Sequence, residues 1–268
     1  MALPALAQPA AVIDGVQMPA WRERDGNRAP LVPGMALRTG DRIITGKDAR
    51  VLITLYEGSV VKLGENGRLV VAEAKPSQEL FKAALQVLEG AFRFTTDIAV
   101  KARKRDVTIA VDQVTIGIRG TDFWGRSRAD RQIVCLIVGA IQVGAAGEKP
   151  VTMDKPRQFY QRDKGKTLPV GLVEARQLDQ WAMETEIADG KGALRRGGRF
   201  SVQVAASDKQ DPALRAVRDQ LREAGYPAEF AQRKEGDKLT HVVRIQQLPS
   251  HEDAQALAAQ LKGRYGIK

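Results

Sequence analysis

Between Gln17 and Arg162, apolar residues come in short runs or alternate with polar ones, and turn residues break the runs at short intervals. Val51–Tyr56 and Ser59–Leu63 have strand length, and turn chemistry falls at Gly40-Asp41, Thr45-Gly46-Lys47, Glu57-Gly58 and Asn66-Gly67. Asn-Gly is a strong tight-turn signal because both residues tolerate positive φ. Further strands are predicted over Val107–Val111, Thr115–Ile118, Gln132–Val138 and Ala140–Val143. Turns recurring roughly every 8–12 residues predict an all-β body. One helical interruption is expected over Ser77–Leu88, where Leu80, Phe81, Ala84, Leu85 and Leu88 fall at helical spacing. A second helix is expected over Val173–Ala188, with Leu178, Trp181, Ala182 and Thr185 on one side.

The pattern then stops. Gly190–Gly198 holds four glycines and three basic residues in nine positions, a composition that predicts a flexible linker. Beyond it, Phe200, Val202 and Val204 alternate with Ser201, Gln203 and Ala205, as in a half-buried strand. Asp211 and Pro212 fit the cap and first residue of a helix whose core face is Leu214, Val217, Leu221 and Ala224, with Gly225 as its stop. Ala228–Gln232 and Thr240–Gln246 follow as strands joined across Glu235-Gly236-Asp237. Ser250 with Asp253 starts a last helix that faces inward through Ala254, Leu257, Ala258 and Leu261, and Tyr265–Ile267 is expected as a short edge strand. The order is βαββαβ, a sheet with two helices on one face.

The fold class expected is therefore α+β in two domains. Residues 1–11 read as a leader remnant or disordered start, 12–165 as the β domain, 166–198 as helix and linker, and 199–268 as the small module. Ala5-Leu6-Ala7 has the small-x-small pattern of a signal-peptide cleavage site, which points to export. No stretch approaches the roughly 20 apolar residues that span a bilayer, so a membrane-spanning chain is not expected.

The net charge of +10 suggests an anionic neighbour, but the excess is spread along the chain. Residues 199–268 carry 12 basic and 9 acidic side chains, so neither part is an extreme polycation. Cys135 is the only cysteine, which rules out an intramolecular disulfide, and its apolar run predicts a buried, inert thiol. No phosphate-binding glycine loop or nucleophile elbow occurs, His241 and His251 are the only histidines, and no carboxylate pair stands out. No catalytic residue, metal ligand or cofactor is expected.

Gly40–Ser59, Gly90–Phe94 and Thr115–Trp124 are separated, ordered motifs, and together they resemble the FecR-like domain over about residues 12–165. Residue by residue the turns explain themselves: Gly40-Asp41 and Glu57-Gly58 are hairpin chemistry, and Arg119-Gly120-Thr121 fits a bend held by an arginine hydrogen bond. The resemblance implies a bacterial periplasmic β-rich domain, solenoid-like in its stacked turns. Its best-known members are transmembrane regulators that pass an outer-membrane receptor's signal to a sigma factor. The cytoplasmic and membrane segments of those regulators are not found in this sequence.

Arg199–Leu261 resembles the SPOR domain in the strand Phe200–Val204, in Ala224–Pro227, in Val243–Ile245 and in Leu248–Ala254. That resemblance implies binding to peptidoglycan glycan strands stripped of stem peptides, and gathering at division septa. Gln203 matches the family's binding-strand glutamine. Alternation places Ser201 and Gln203 on the sheet face away from the helices with Ala205, and Thr240, Val242 and Arg244 share that face if His241, Val243 and Ile245 point inward. Ser201, Gln203, Thr240 and Arg244 are thus the glycan-binding candidates, since amide and guanidinium groups can bond sugar oxygens. The aromatic that many members carry near Thr240 is absent.

Two modules of envelope type predict a non-enzymatic periplasmic protein tethered to peptidoglycan, with the FecR-like domain as a structural module or the seat of an envelope protein partner. A FecR-type signalling regulator is the alternative. An RNA-recognition module shares the βαββαβ order but stacks bases on rings of its open face. This face offers none, so no nucleic-acid partner is expected.

Overall fold

The computed structural model describes residues 9–75, 80–96, 104–118, 120–209, 212–235 and 238–267. Ala5–Ala7, residues 77–79, Arg119, Asp211 and the Gly236-Asp237 turn, on which expectations were placed, lie outside the described residues. Among the described residues strands dominate, with three helices: α1 (Ala175–Met183), α2 (Pro212–Glu223) and α3 (His251–Leu261). None is long and apolar enough to cross a membrane among the described residues.

The β body consists of two sheets that share a core. One includes Ala11–Gln17, Arg50–Leu55, Val60–Leu63, Asp122–Arg128 and Arg131–Val138. The other includes Ala20–Arg24, Arg42–Thr45, Arg68–Lys75 and Val114–Ile118. Strict alternation drives this packing. In Arg50–Leu55 every second side chain is buried, and the inward set Val51, Ile53 and Leu55 meets Val61 and Leu63 of the next strand.

The two sheets are joined by one long strand, Leu80–Thr95. Its first half pairs with Arg68–Lys75 and, in parallel, with Lys104–Val111; its second half pairs with Val60–Leu63 and Asp122–Arg128. This corrects the helix expected over Ser77–Leu88. The apolar residues there satisfy two periods at once, and the strand period wins because Phe81, Ala83, Leu85 and Val87 can all be buried between ladders on both sides, leaving Leu88 42% exposed.

α1 is shorter than Val173–Ala188. It packs through Leu178 and through Trp181, whose ring stacks on Trp124 at 4.7 Å between centroids. After the helix the chain is held by charge. Glu186 accepts from Lys62 Nζ at 2.5 Å and from Arg93 Nη1 at 3.0 Å, while Arg93 also forms a bidentate pair with Asp122. Cys135 is fully buried, and burial pushes its thiol up to about 12.

The glycine-rich segment 190–198 is not a loose tether. Leu194–Arg195 pairs with Gly15-Val16 of the first strand, and Gly192 N donates to the buried Asp253 carboxylate at 3.0 Å. A Cβ on Gly192 would lie 3.1 Å from Leu257, and its φ of +76° is one that glycine adopts freely. The glycines therefore allow close approach to α3, a use that composition cannot separate from flexibility. Across the same boundary Trp21 Nε1 donates to Glu223 O at 2.9 Å and Ala20 N to Gly225 O at 3.3 Å. The small module's core, with Leu221, Val243, Ile245 and Leu257, runs into that of the β body.

Candidate functional site

The C-terminal module is a three-stranded antiparallel sheet, with Lys238–Leu248 in the centre, Phe200–Ser207 on one side and Glu229–Glu235 on the other. α2 and α3 cover one face through Leu214, Leu221, Leu257 and Leu261, whereas Ala258, expected inward, is exposed. The opposite face is open. Ser250 caps α3 by accepting from Asp253 N at 3.0 Å, as the sequence pattern requires. Tyr265–Ile267 forms a turn closed by Gly263 N to Ile267 O at 3.0 Å and not the expected fourth strand, so Phe200–Ser207 is an edge of this sheet.

On the open face three candidates come together. Val202 and Val204 point to the core, leaving Ser201 and Gln203 exposed. Gln203 lies directly opposite Arg244 in the register, and Arg244 lies opposite Glu229, so the three form one row across the sheet. Arg244 Nε donates to Glu229 Oε1 at 3.3 Å, and Gln246 Nε2 donates to the same oxygen. Among the described residues, the Ser201 hydroxyl and the Gln203 amide make no hydrogen bond within the chain. Polar groups held on a paired strand without internal partners can be offered to a ligand.

Thr240 is not part of this row. It sits four residues from Arg244, about 13 Å along the strand at ordinary strand rise, opposite Arg233 and beyond the last pairing of the edge strand, Ser207 with His241. Ala205 also departs from the expected face. A bulge between Gln203 and Ala205 shifts the alternation by one, so that Ala205 packs against the helix-side core and Ala206 becomes exposed. A second bulge isolates Ser201 between Phe200 and Val202. Val242 keeps the outward parity of the central strand, yet it is only 4% exposed.

Glu229 and Gln246 were not singled out from the sequence. Gln246 shares the parity of Arg244, a signal that was present. Glu229 could be placed only by the hairpin register, which brings it beside the guanidinium and neutralises part of its charge. No ring joins the row among the described residues. Phe200 is 42% exposed, but its ring is 6.4 Å from His251 at the start of α3, and Phe230 lies under Arg218 on the helix side.

In the β body, the family motifs prove to be turn chemistry at Gly40-Asp41. Gly40 has φ +92°, and the fully buried Asp41 accepts from Arg38 N at 2.8 Å and from Arg24 Nε and Nη2 at 2.5 and 2.6 Å. Gly58 has φ +98°. Among the described residues, no group of three or more His, Cys, Asp or Glu side chains is arranged to hold a metal ion.

Comparison with known proteins matches two family profiles: FecR protein over residues 41–142 and SPOR domain over residues 197–267. The chain carries a FecR domain followed by a C-terminal SPOR domain. No curated protein matches the sequence. Among solved structures, two crystal structures of a candidate anti-sigma factor from Parabacteroides distasonis align at 12% identity and a TM-score of 0.44, covering 74% of this chain and 96% of the other. That similarity is too low to bear on function.

Proposed function

We propose that this chain is a non-enzymatic periplasmic protein that binds denuded glycan strands of peptidoglycan through the open face of its SPOR sheet. The observation that supports this most directly is the row of Gln203, Arg244 and Glu229 with Ser201 on the same face, where an amide and a hydroxyl without internal partners among the described residues flank a half-exposed guanidinium. Such a set can bond hydroxyl, N-acetyl and lactyl oxygens along a strand of sugars. Thr240 would touch only a longer ligand that continues along the central strand. The FecR domain, taken as residues 12–165 and solenoid-like in its stacked turns, serves as a structural or protein-interaction module. The SPOR domain, taken as 199–268, supplies the tether.

Co-sedimentation with amidase-treated sacculi tests this reading. The full chain is expected to pellet with them, and Gln203→Ala combined with Arg244→Ala is expected to stay in the supernatant. Failure of the wild type to pellet would remove the binding claim, while pelleting of the double variant would move the site elsewhere on the domain.

The FecR match favours one second reading, a cell-surface regulator of sigma-factor activity. Crosslinking in cells distinguishes the two: capture of an outer-membrane receptor or a sigma-regulatory protein by the β body supports the regulator, and capture of wall material alone supports the tether.

A further inference from the structure

At the boundary between the two domains lies a cleft of about 880 Å³, within the size range of small-ligand sites. Three parts of the chain build it. Gln17, Lys47 and Arg50 come from the FecR body, Lys191 from the connector, and Arg264 and Tyr265 from the end of the SPOR domain. It lies apart from the Gln203–Arg244 row, none of whose residues lines it.

The charges of this cleft are out of balance. Lys47, Arg50, Lys191 and Arg264 belong to no ion pair among the described residues. Of the carboxylates present, Glu186 is already taken by Lys62 and Arg93, which leaves Asp48 and Asp189 against four cations. Two buried polar atoms also lack partners: Gln17 Oε1, although its Nε2 donates to Asp48 O at 2.6 Å, and Arg50 Nε, although its Nη1 donates to Ala49 O at 2.8 Å. A buried polar atom without a partner carries a desolvation cost, so the chain alone leaves this wall unsatisfied.

The other walls suit a sugar. Tyr265 is half-buried with its ring 5.8 Å from that of Tyr226 and the Arg264 guanidinium 5.1 Å over it, Arg264 Nη2 donating to the Tyr265 hydroxyl at 3.0 Å, and Gln260 is fixed to the connector through Lys191 O at 3.0 Å. A ring, fixed amides and surplus cations together match a saccharide that bears a carboxylate: sugar C–H faces on the ring, hydroxyls on the amides, the acid on the guanidinium.

We propose that the interdomain cleft is a second saccharide site, selective for an amino sugar with a free carboxylate such as the lactyl group exposed when a stem peptide is removed. The naming of that sugar rests on the peptidoglycan reading above; the anionic character of the site rests on the cleft alone. Because FecR body, connector and SPOR domain all contribute, occupancy would also fix the two domains against each other.

Calorimetry and two-dimensional NMR of the full chain provide the test, using a soluble disaccharide with a free lactyl carboxylate and the same disaccharide with that carboxyl converted to a methylamide. The acid is expected to bind and to shift resonances of Tyr265 and Gln17, and the amide to bind about tenfold more weakly, the loss of one charge-assisted hydrogen bond. Arg50→Gln and the exposed Lys191→Gln are each expected to weaken the acid severalfold, and the exposed Lys155→Gln, outside both the cleft and the Gln203–Arg244 row, to leave it unchanged. Equal affinity for acid and amide, no binding of either, or an equal weakening in Lys155→Gln would overturn the proposal. Sacculus pelleting is read separately: if it persists while the soluble acid fails to bind, only the cleft proposal falls, and if both fail the glycan reading falls with it.

Discussion

The FecR body and the open face of the SPOR sheet use the same residue types in opposite ways. At the buried centres of the body, charge is consumed internally. Asp41 is fully buried against Arg24 and the Arg38 amide, and Arg93 is shared between Asp122 and Glu186. On the sheet, Gln203 and Ser201 are exposed and, among the described residues, unbonded, and Arg244 gives only its Nε to Glu229. The difference teaches how to tell a structural polar group from a binding one. A buried group whose every bond is made within the chain has nothing left to offer, and its loss is felt as instability. An exposed group on a rigid ladder contributes little to folding, and its loss is felt in binding.

That contrast can be broken by substitution. The largest effect is expected from Asp41→Ala, which strands Arg24 and the Arg38 amide and should cost about 3 kcal/mol, seen as a lower thermal midpoint in circular dichroism. An unchanged midpoint would show that the buried pair is dispensable. Gly225→Val comes next. A Cβ there would lie 2.7 Å from the Trp21 ring at a φ of +87°, so the domains must part at a cost of about 2 kcal/mol. Limited trypsin digestion should then cut faster after Lys191 and Arg196, whose neighbouring backbone is held by Asp253 and by the first strand; an equal rate would mean that the boundary tolerates the clash.

Smaller effects belong to the sheet. Gln203→Ala should leave stability within about 0.5 kcal/mol and weaken sacculus binding about three- to tenfold; a lowered thermal midpoint would make Gln203 a structural residue after all. The smallest change expected is a gain. Glu229→Gln releases Arg244 from its partner and should raise sacculus affinity by less than about threefold, because exposed pairs are weak. A decrease would mean that Glu229 itself touches the glycan.

The alternation of Phe200–Val204 and the parity of the central strand are enough to place Ser201, Gln203 and Arg244 on one face, because a strand's side-chain period is fixed at two. The same rule failed at Ala205, where a bulge resets the period, and at the tail, where Tyr265–Ile267 turns back before it can pair. It also failed at Leu80–Thr95, whose Phe81 and Leu85 fit a helix as well as a strand. Nothing local separates those two outcomes, since the ladders that decide between them come from residues 68–75 and 104–111.

What the sequence by itself determined is the kind of each module: turn spacing and alternation made the first part β-rich, and the βαββα order with its Ser250 cap made the second. These are consequences of backbone geometry and of residues close along the chain. What only the tertiary structure decided is how the parts meet. The glycines of 190–198, which composition assigns to a flexible linker, let the backbone press against Leu257 and bond to Asp253, and Gly225 does the same under Trp21. Glu229 beside Arg244 and the cationic cleft between the domains likewise arise from partners tens to hundreds of residues apart, and no local pattern records which of them will be brought together.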